Sequence, residues 1–153
     1  MDTFTSWIGM VFLSLMFVIL LLQVFFRYVL NNSLPWPEEI AVVLLVWSAF
    51  IGASIALKNR LHVSIVVFID MLPKKIKPFS LLVVDLLVGL FSGYLMIYGW
   101  AIAEFVGARQ KTPFTDIPYF YLYLSVAAGG LLLLIHALVL IVDDLVSVLG
   151  IEK

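Results

Sequence analysis

Two ionisable side chains lie inside stretches that are otherwise free of charge, and they are the first candidates for chemistry. Asp85 stands seven residues past Pro78, and His136 stands seven residues before Asp143. An acid facing an imidazole can share a hydrogen bond or pass a proton. A second group is Arg27, followed across a short connection by Trp36, Glu38 and Glu39. Its cation and two carboxylates are able to pair. The remaining histidine, His62, raises haem ligation by two imidazoles, which would need both rings at one depth. The chain has no cysteine, so disulfides, thiolate metal sites and cysteine nucleophiles are excluded. There is no His/Asp/Glu cluster with metal-ligand spacing, no serine in a nucleophile elbow and no glycine-rich phosphate loop. The expectation is therefore a protein that is not an enzyme and holds no cofactor or metal.

The elements that must position these groups are set by the apolar runs. Thr3 to Phe26 is a run of 24 residues without a charge, longer than the roughly 20 that cross a bilayer core as a helix. Apolar residues make up 64% of the chain and charged residues 12%, against roughly 45–50% apolar in a soluble domain. We expect an all-α membrane protein, residues 1–153 forming one integral membrane domain. Its four transmembrane helices lie at about 4–26, 40–57, 79–103 and 119–142. Helices rather than strands follow from the lack of alternation and from the need to satisfy backbone polar groups in lipid. The first segment lacks a basic leader and a small-residue cleavage site, so a permanent helix is expected rather than a signal peptide. Net charge is −1, and nothing points to nucleic acid as a partner.

The loops set the orientation. The N-terminus, second loop and C-tail carry Lys58, Arg60, Lys74, Lys75, Lys77 and Lys153, while the other two loops carry Arg27, Arg109 and Lys111. The positive-inside rule places both termini in the cytoplasm. Trp7, Trp36, Trp100, Tyr119, Tyr121 and Tyr123 fall where headgroup-level aromatics belong. Trp47, deep in the second span, is expected to pack against another helix. Val63 to Leu72 is apolar but spans only about 15 Å as a helix, half the hydrocarbon thickness. It is bounded by His62 and by Pro73, Lys74 and Lys75, which suits an interfacial helix on the cytoplasmic surface.

Within this frame the polar groups gain places. Arg27 closes span one where Glu38 and Glu39 open span two. It either pairs with one of them, or snorkels to phosphate while the glutamates favour the helix N-terminus. Asp85 and His136 sit at similar depth on antiparallel spans. They either hydrogen-bond each other, or Asp85 is neutral or reaches the basic second loop. His62 lies at the end of span two and His136 inside span four, so a shared haem is not expected. Small residues at Gly52 and Ala56 in span two, and at Gly89 and Gly93 in span three, suit close helix packing, internal or with a partner.

The stretch Gln23-Val24-Phe25-Phe26-Arg27-Tyr28, then Trp36-Pro37-Glu38-Glu39, Gly52-Ala53-Ser54-Ile55-Ala56-Leu57 and Leu61-His62-Val63 resembles the small membrane subunit of tripartite ATP-independent periplasmic (TRAP) transporters, the DctQ-like family. These motifs cover about residues 23 to 72. The second half resembles the family in hydropathy and in a loose Gly99 and Gln110 pattern. The resemblance implies a bacterial inner-membrane scaffold with cytoplasmic termini. It implies as partners a large elevator-type membrane subunit driven by sodium, a periplasmic substrate-binding protein and membrane lipids. It further implies that Arg27, Trp36, Glu38 and Glu39 form a polar cluster fixing the outer ends of spans one and two against the partner or lipid headgroups, and that His62 caps or orients the surface helix. The cargo expected from the resemblance is an organic acid, with sialic acid the working choice although no residue specifies it. Two rival readings are a small transporter or channel made by self-assembly, and a membrane anchor for a redox enzyme.

Overall fold

The computed structural model describes residues 2–60, 73 and 76–148. The expected interfacial helix at 63–72 and its cap His62 lie outside the described residues. Apart from one isolated β-bridge between Lys111 and Pro118, the described structure is helical. Its helices are α1 (Asp2–Tyr28), α2 (Trp36–Lys58), α3 (Lys77–Ile102) and α4 (Phe120–Val148). A single π-helical turn, Ala103–Gly107, extends α3. All four helices are long and apolar enough to cross a membrane. The expected spans therefore hold, with ends shifted by a few residues.

Local chemistry explains the boundaries. α2 and α3 each carry proline in their first turn, where its missing N–H costs nothing and its fixed φ suits a helix. Glu38 and Glu39 occupy the first turn of α2, where carboxylates favour the positive end of the macrodipole. The far end of α2 is closed by Arg60, which takes the left-handed backbone at φ 50°.

The helices form a row rather than a closed bundle. α3 packs along α4, α4 against α2, and α2 against α1. Among the described residues α1 touches neither α3 nor α4, and the α2 and α3 backbones do not approach. The buried interior is accordingly thin and made of small groups. The largest fully buried side chains are Pro37, Ser54, Ser92 and Ser125. Three buried serines return their hydroxyls to their own helix: Ser48 to the Leu44 carbonyl at 2.7 Å, Ser92 to Val88 at 2.7 Å and Ser125 to Leu122 at 2.5 Å. Bulky side chains such as Phe17 and Leu90 point outward, which is costly in water and neutral in lipid.

Close backbone approach, rather than bulk, holds the row together. A methyl added at Gly99 would meet the Ala127 nitrogen at 2.8 Å, and one at Gly130 would meet the Met96 nitrogen at 2.7 Å. Gly129 lies directly against the Phe50 side chain, joining α4 to α2. Of the small residues expected to suit packing, some meet a neighbour inside the row and others face outward. Gly89 makes ordinary contact with Ile141 and Ala137, and Ala56 is half-buried, but Gly52 and Gly93 have nothing within 4 Å of the added methyl. Four-residue spacing identifies a helix face and does not say where that face points.

Gly130→Ala is expected to destabilise the protein by about 1–3 kcal/mol through overpacking. Gly52→Ala should leave the unfolding midpoint unchanged. Thermal melts followed by circular dichroism in detergent would compare the two.

Candidate functional site

The polar groups of α2 form a ladder along one seam. At its outer end Glu39 reaches the 108–119 connection: Phe114 N donates to Oε1 at 3.0 Å, and Thr115 N and Oγ1 donate to Oε2 at 2.9 and 2.5 Å. The connection is braced internally, since the Thr112 and Thr115 hydroxyls bond at 2.7 Å and Thr112 N donates to the Ile117 carbonyl at 2.9 Å. Two turns further in, Trp47 Nε1 donates to the Tyr121 carbonyl at 3.0 Å. The Trp47 ring meets Phe12 of α1 edge-on, with centroids 6.4 Å apart. Next, the Ser54 hydroxyl and His136 Nδ1 lie 2.7 Å apart. Finally Arg60 Nη2 lies 2.5 Å from Asp144 Oδ1 and 3.2 Å from Asp85 Oδ2. From Glu39 to Ser54 the ladder climbs about 22 Å at 1.5 Å per residue, most of the roughly 30 Å hydrocarbon thickness.

Each rung satisfies a group that hydrocarbon would leave bare. Asp85 and Asp144 are almost fully buried, and one partly exposed guanidinium serves both. That cluster joins α2, α3 and α4 at one end of the row. At the other end Glu39 ties α2 to the connection between α3 and α4. The rungs between serve α2 and α4.

The expected Asp85–His136 pair is therefore not formed. Asp85 goes to Arg60 and His136 to Ser54. Equal depth on neighbouring helices does not bring two side chains to the same azimuth, and Arg60, just past the end of α2, reaches both acids. Of the two readings open from sequence, the one sending Asp85 to the basic second loop describes the contact. At the outer end, of the two readings open for Arg27, the pairing with a glutamate is not formed among the described residues. Arg27 is exposed and lies over its neighbour Tyr28 at 5.6 Å, and it makes no ion pair with Glu38 or Glu39. Both oxygens of Glu39 are already occupied by the connection. Glu38 is exposed on the rim of a cleft of about 240 Å³ walled by Pro35, Val42, Pro113, Phe114 and Pro118. Trp36 stands at the start of α2, 37% exposed. Asp144, Thr115 and Arg60 were not singled out from sequence. The signal for Asp144 was an acid at the end of the last apolar run, on the side carrying most of the cations. No group of three or more potential metal-ligating side chains occurs among the described residues.

The polar groups along α2 are spent on joining this row of membrane helices, which suits a membrane subunit. The family comparison agrees. The chain belongs to the family described as tripartite ATP-independent periplasmic transporters, DctQ component, whose model matches residues 16–147. It is 30% identical over 120 residues to a Haemophilus influenzae chain provisionally named a TRAP transporter small permease protein, covering 78% of this chain and 74% of that one. It is 26% identical over 118 residues to the C4-dicarboxylate TRAP transporter small permease protein DctQ of Vibrio cholerae, covering 76% of this chain and 51% of that one. It is also 35% identical over 83 residues to the sialic acid TRAP transporter permease protein SiaT of Haemophilus influenzae, covering 54% of this chain but only 14% of that protein. The family and the four apolar helices make this a multi-pass protein of a bacterial inner membrane.

Arg60→Ala should strand two buried carboxylates and cost about 3 kcal/mol, at the low end of the range for breaking a buried pair because the guanidinium is partly exposed. Arg60 and Asp85 substitutions should be non-additive, with a coupling of about 0.5–3 kcal/mol, whereas Asp85 and His136 substitutions should add. Denaturation cycles in detergent would separate the two. Glu39→Ala should speed amide exchange at Phe114 and Thr115, measured by hydrogen–deuterium exchange, and leave the middle of α2 unaffected.

Proposed function

We propose that the chain is the small scaffold subunit of a sodium-coupled TRAP transporter for an organic acid, bracing a large elevator-type membrane subunit. The observation that carries this reading is the match to SiaT, in which a segment like this chain is a small part of a much longer permease. A fused relative places such a segment and the remaining permease in one polypeptide, so the two have reason to lie side by side. The ladder supports the same role. Glu39, Trp47, Ser54 and Arg60 are engaged with α4, the acid pair and the 108–119 connection, a structural use of polar groups that suits a brace. The names of the relatives differ in cargo, sialic acid in one and C4-dicarboxylate in another. Both are organic acids, which is the substrate class proposed here. The cation count supports cytoplasmic termini. On that orientation the Glu39 end and its cleft face the periplasm, where they offer surface to a substrate-binding protein.

The test is reconstitution. The chain should copurify with the large membrane subunit made with it. Proteoliposomes holding both, supplied with the binding protein and a sodium gradient, should take up the organic acid. Those holding this chain alone should take up nothing above the level of empty vesicles. Uptake by the lone chain would instead establish the self-assembled transporter. Within the complex, Arg27→Glu should reduce assembly or uptake several-fold, and full uptake by that variant would remove Arg27 from the contact surface.

A further inference from the structure

α3 presents one continuous outward face that carries Leu87, Phe91, Tyr94, Tyr98 and Phe105, all exposed. Its tyrosines are out of place for a lipid-facing surface. The span runs from Phe79 to Gly107, 29 residues, and its midpoint falls at residue 93, which is also halfway between the flanking cations Lys77 and Arg109. Tyr94 is therefore within about 2 Å of the span's centre, and Tyr98 about 8 Å further out. Half the hydrocarbon thickness is about 15 Å, well beyond the reach of a phenol from position 94. Side chains on a helix also lean toward its N-terminus, which carries the Tyr98 hydroxyl deeper rather than toward the nearer interface. The two rings stack on each other at 4.2 Å. Neither hydroxyl has a hydrogen-bond partner among the described residues. Tyr94 is 56% exposed and Tyr98 52%, so the described residues leave about half of each uncovered.

Acyl chains offer no acceptor at that depth, so two phenols left there would forfeit their hydrogen bonds. Acceptors at mid-membrane belong to protein. We propose that this face of α3 is the docking surface for a transmembrane helix of the large transporter subunit, whose polar groups accept hydrogen bonds from Tyr94 and Tyr98. This rests on the scaffold reading above. Two further features fit a helix as occupant. Ile97, on the flank of the face, also walls an apolar groove of about 550 Å³ between α3 and α4 with Ala127 and Ala128 in its lining. The neighbouring Gly93 leaves open space, so a backbone can approach closely. At the outer end Arg109 stacks over Phe105 at 4.7 Å and makes no ion pair among the described residues. Charge complementarity there calls for a carboxylate on the docking helix at headgroup depth. A second copy of this chain would bring another cation to that place. The fused relative, in which such a segment occupies only 14% of the chain, also favours a different partner over a copy.

The test places a photo-crosslinking phenylalanine analogue at position 94, and separately at 98, in the full chain produced with the large subunit and its binding protein. Irradiation of membranes should join this chain to the large subunit from both positions. Adducts to lipid alone, or to a second copy of this chain, would overturn the proposal. Tyr94→Phe and Tyr98→Phe remove only the hydroxyls. Each should speed dissociation of the detergent-purified complex about threefold, the effect of one average interhelical hydrogen bond in a membrane protein, and neither should move the melting point of the chain by itself. Unchanged dissociation in both would overturn the hydrogen-bonding assignment. If the complex copurifies but links through another face, the placement alone falls. If no complex forms, the scaffold reading falls and this proposal with it.

Discussion

A polar group in hydrocarbon must find its partner within protein, and α2 supplies such partners at four successive depths. Glu39, Trp47, Ser54 and Arg60 lie on the side of α2 that meets α4 and the 108–119 connection. Without them the row would be held by van der Waals contact alone, because lipid offers apolar surfaces no reason to prefer one another. Each neutral rung contributes on average about 0.6 kcal/mol by analogy with interhelical hydrogen bonds in other membrane proteins. Their value lies equally in register. A sliding or rotated α2 would leave a carboxylate, an indole N–H and an imidazole bare at once.

The thin interior follows from the same solvent. A soluble protein gathers its bulky side chains inward because water penalises them. Here many of the buried positions go to serine and alanine, with few bulky residues such as Ile51, Leu57 and Leu140 among them, and most bulky residues face out. Backbone contact is what small residues allow, as at Gly99 and Gly130. A row also exposes more side-chain surface than a closed bundle of the same four helices. α1, which among the described helices packs along α2, shows most of its circumference to its surroundings.

The spans were legible in the sequence because the bilayer imposes a length and a near absence of charge, and both can be read residue by residue. The opening of α2 was legible too, from Pro37 and the two glutamates. What could not be read was azimuth. Asp85 and His136 share a depth, yet their partners are Arg60 and Ser54, since which face a residue occupies depends on how whole helices rotate against one another. Whether Gly52 and Gly93 face inward or outward was hidden for the same reason. Glu39 is legible as a polar anchor at the start of α2, with Arg27 only one of its possible partners in sequence. Its bonds instead go to a connection some 75 residues on, a contact that only the folded row creates.

The position of the ladder bears on what such a chain can do. An element that alternates between two arrangements must break its contacts in each cycle, and the cost of doing so is smallest where few polar groups are locked together. This chain is locked at both ends, by Glu39 on one side of the membrane and by the Arg60 cluster on the other, with two further rungs between. Opening α2 from α4 would bare the Trp47 and Ser54–His136 rungs within the bilayer and pull on the contacts at both ends. Such locking is what the proposed bracing role requires. A partner that carries solute by moving part of itself through the membrane needs another part that stays still, and an extended row offers more area to hold it than a compact bundle would. The absence of a closed core is then no defect of packing. It leaves broad helix faces available to a neighbour, and the one face whose tyrosines lack partners at mid-membrane is where a neighbour has most to supply.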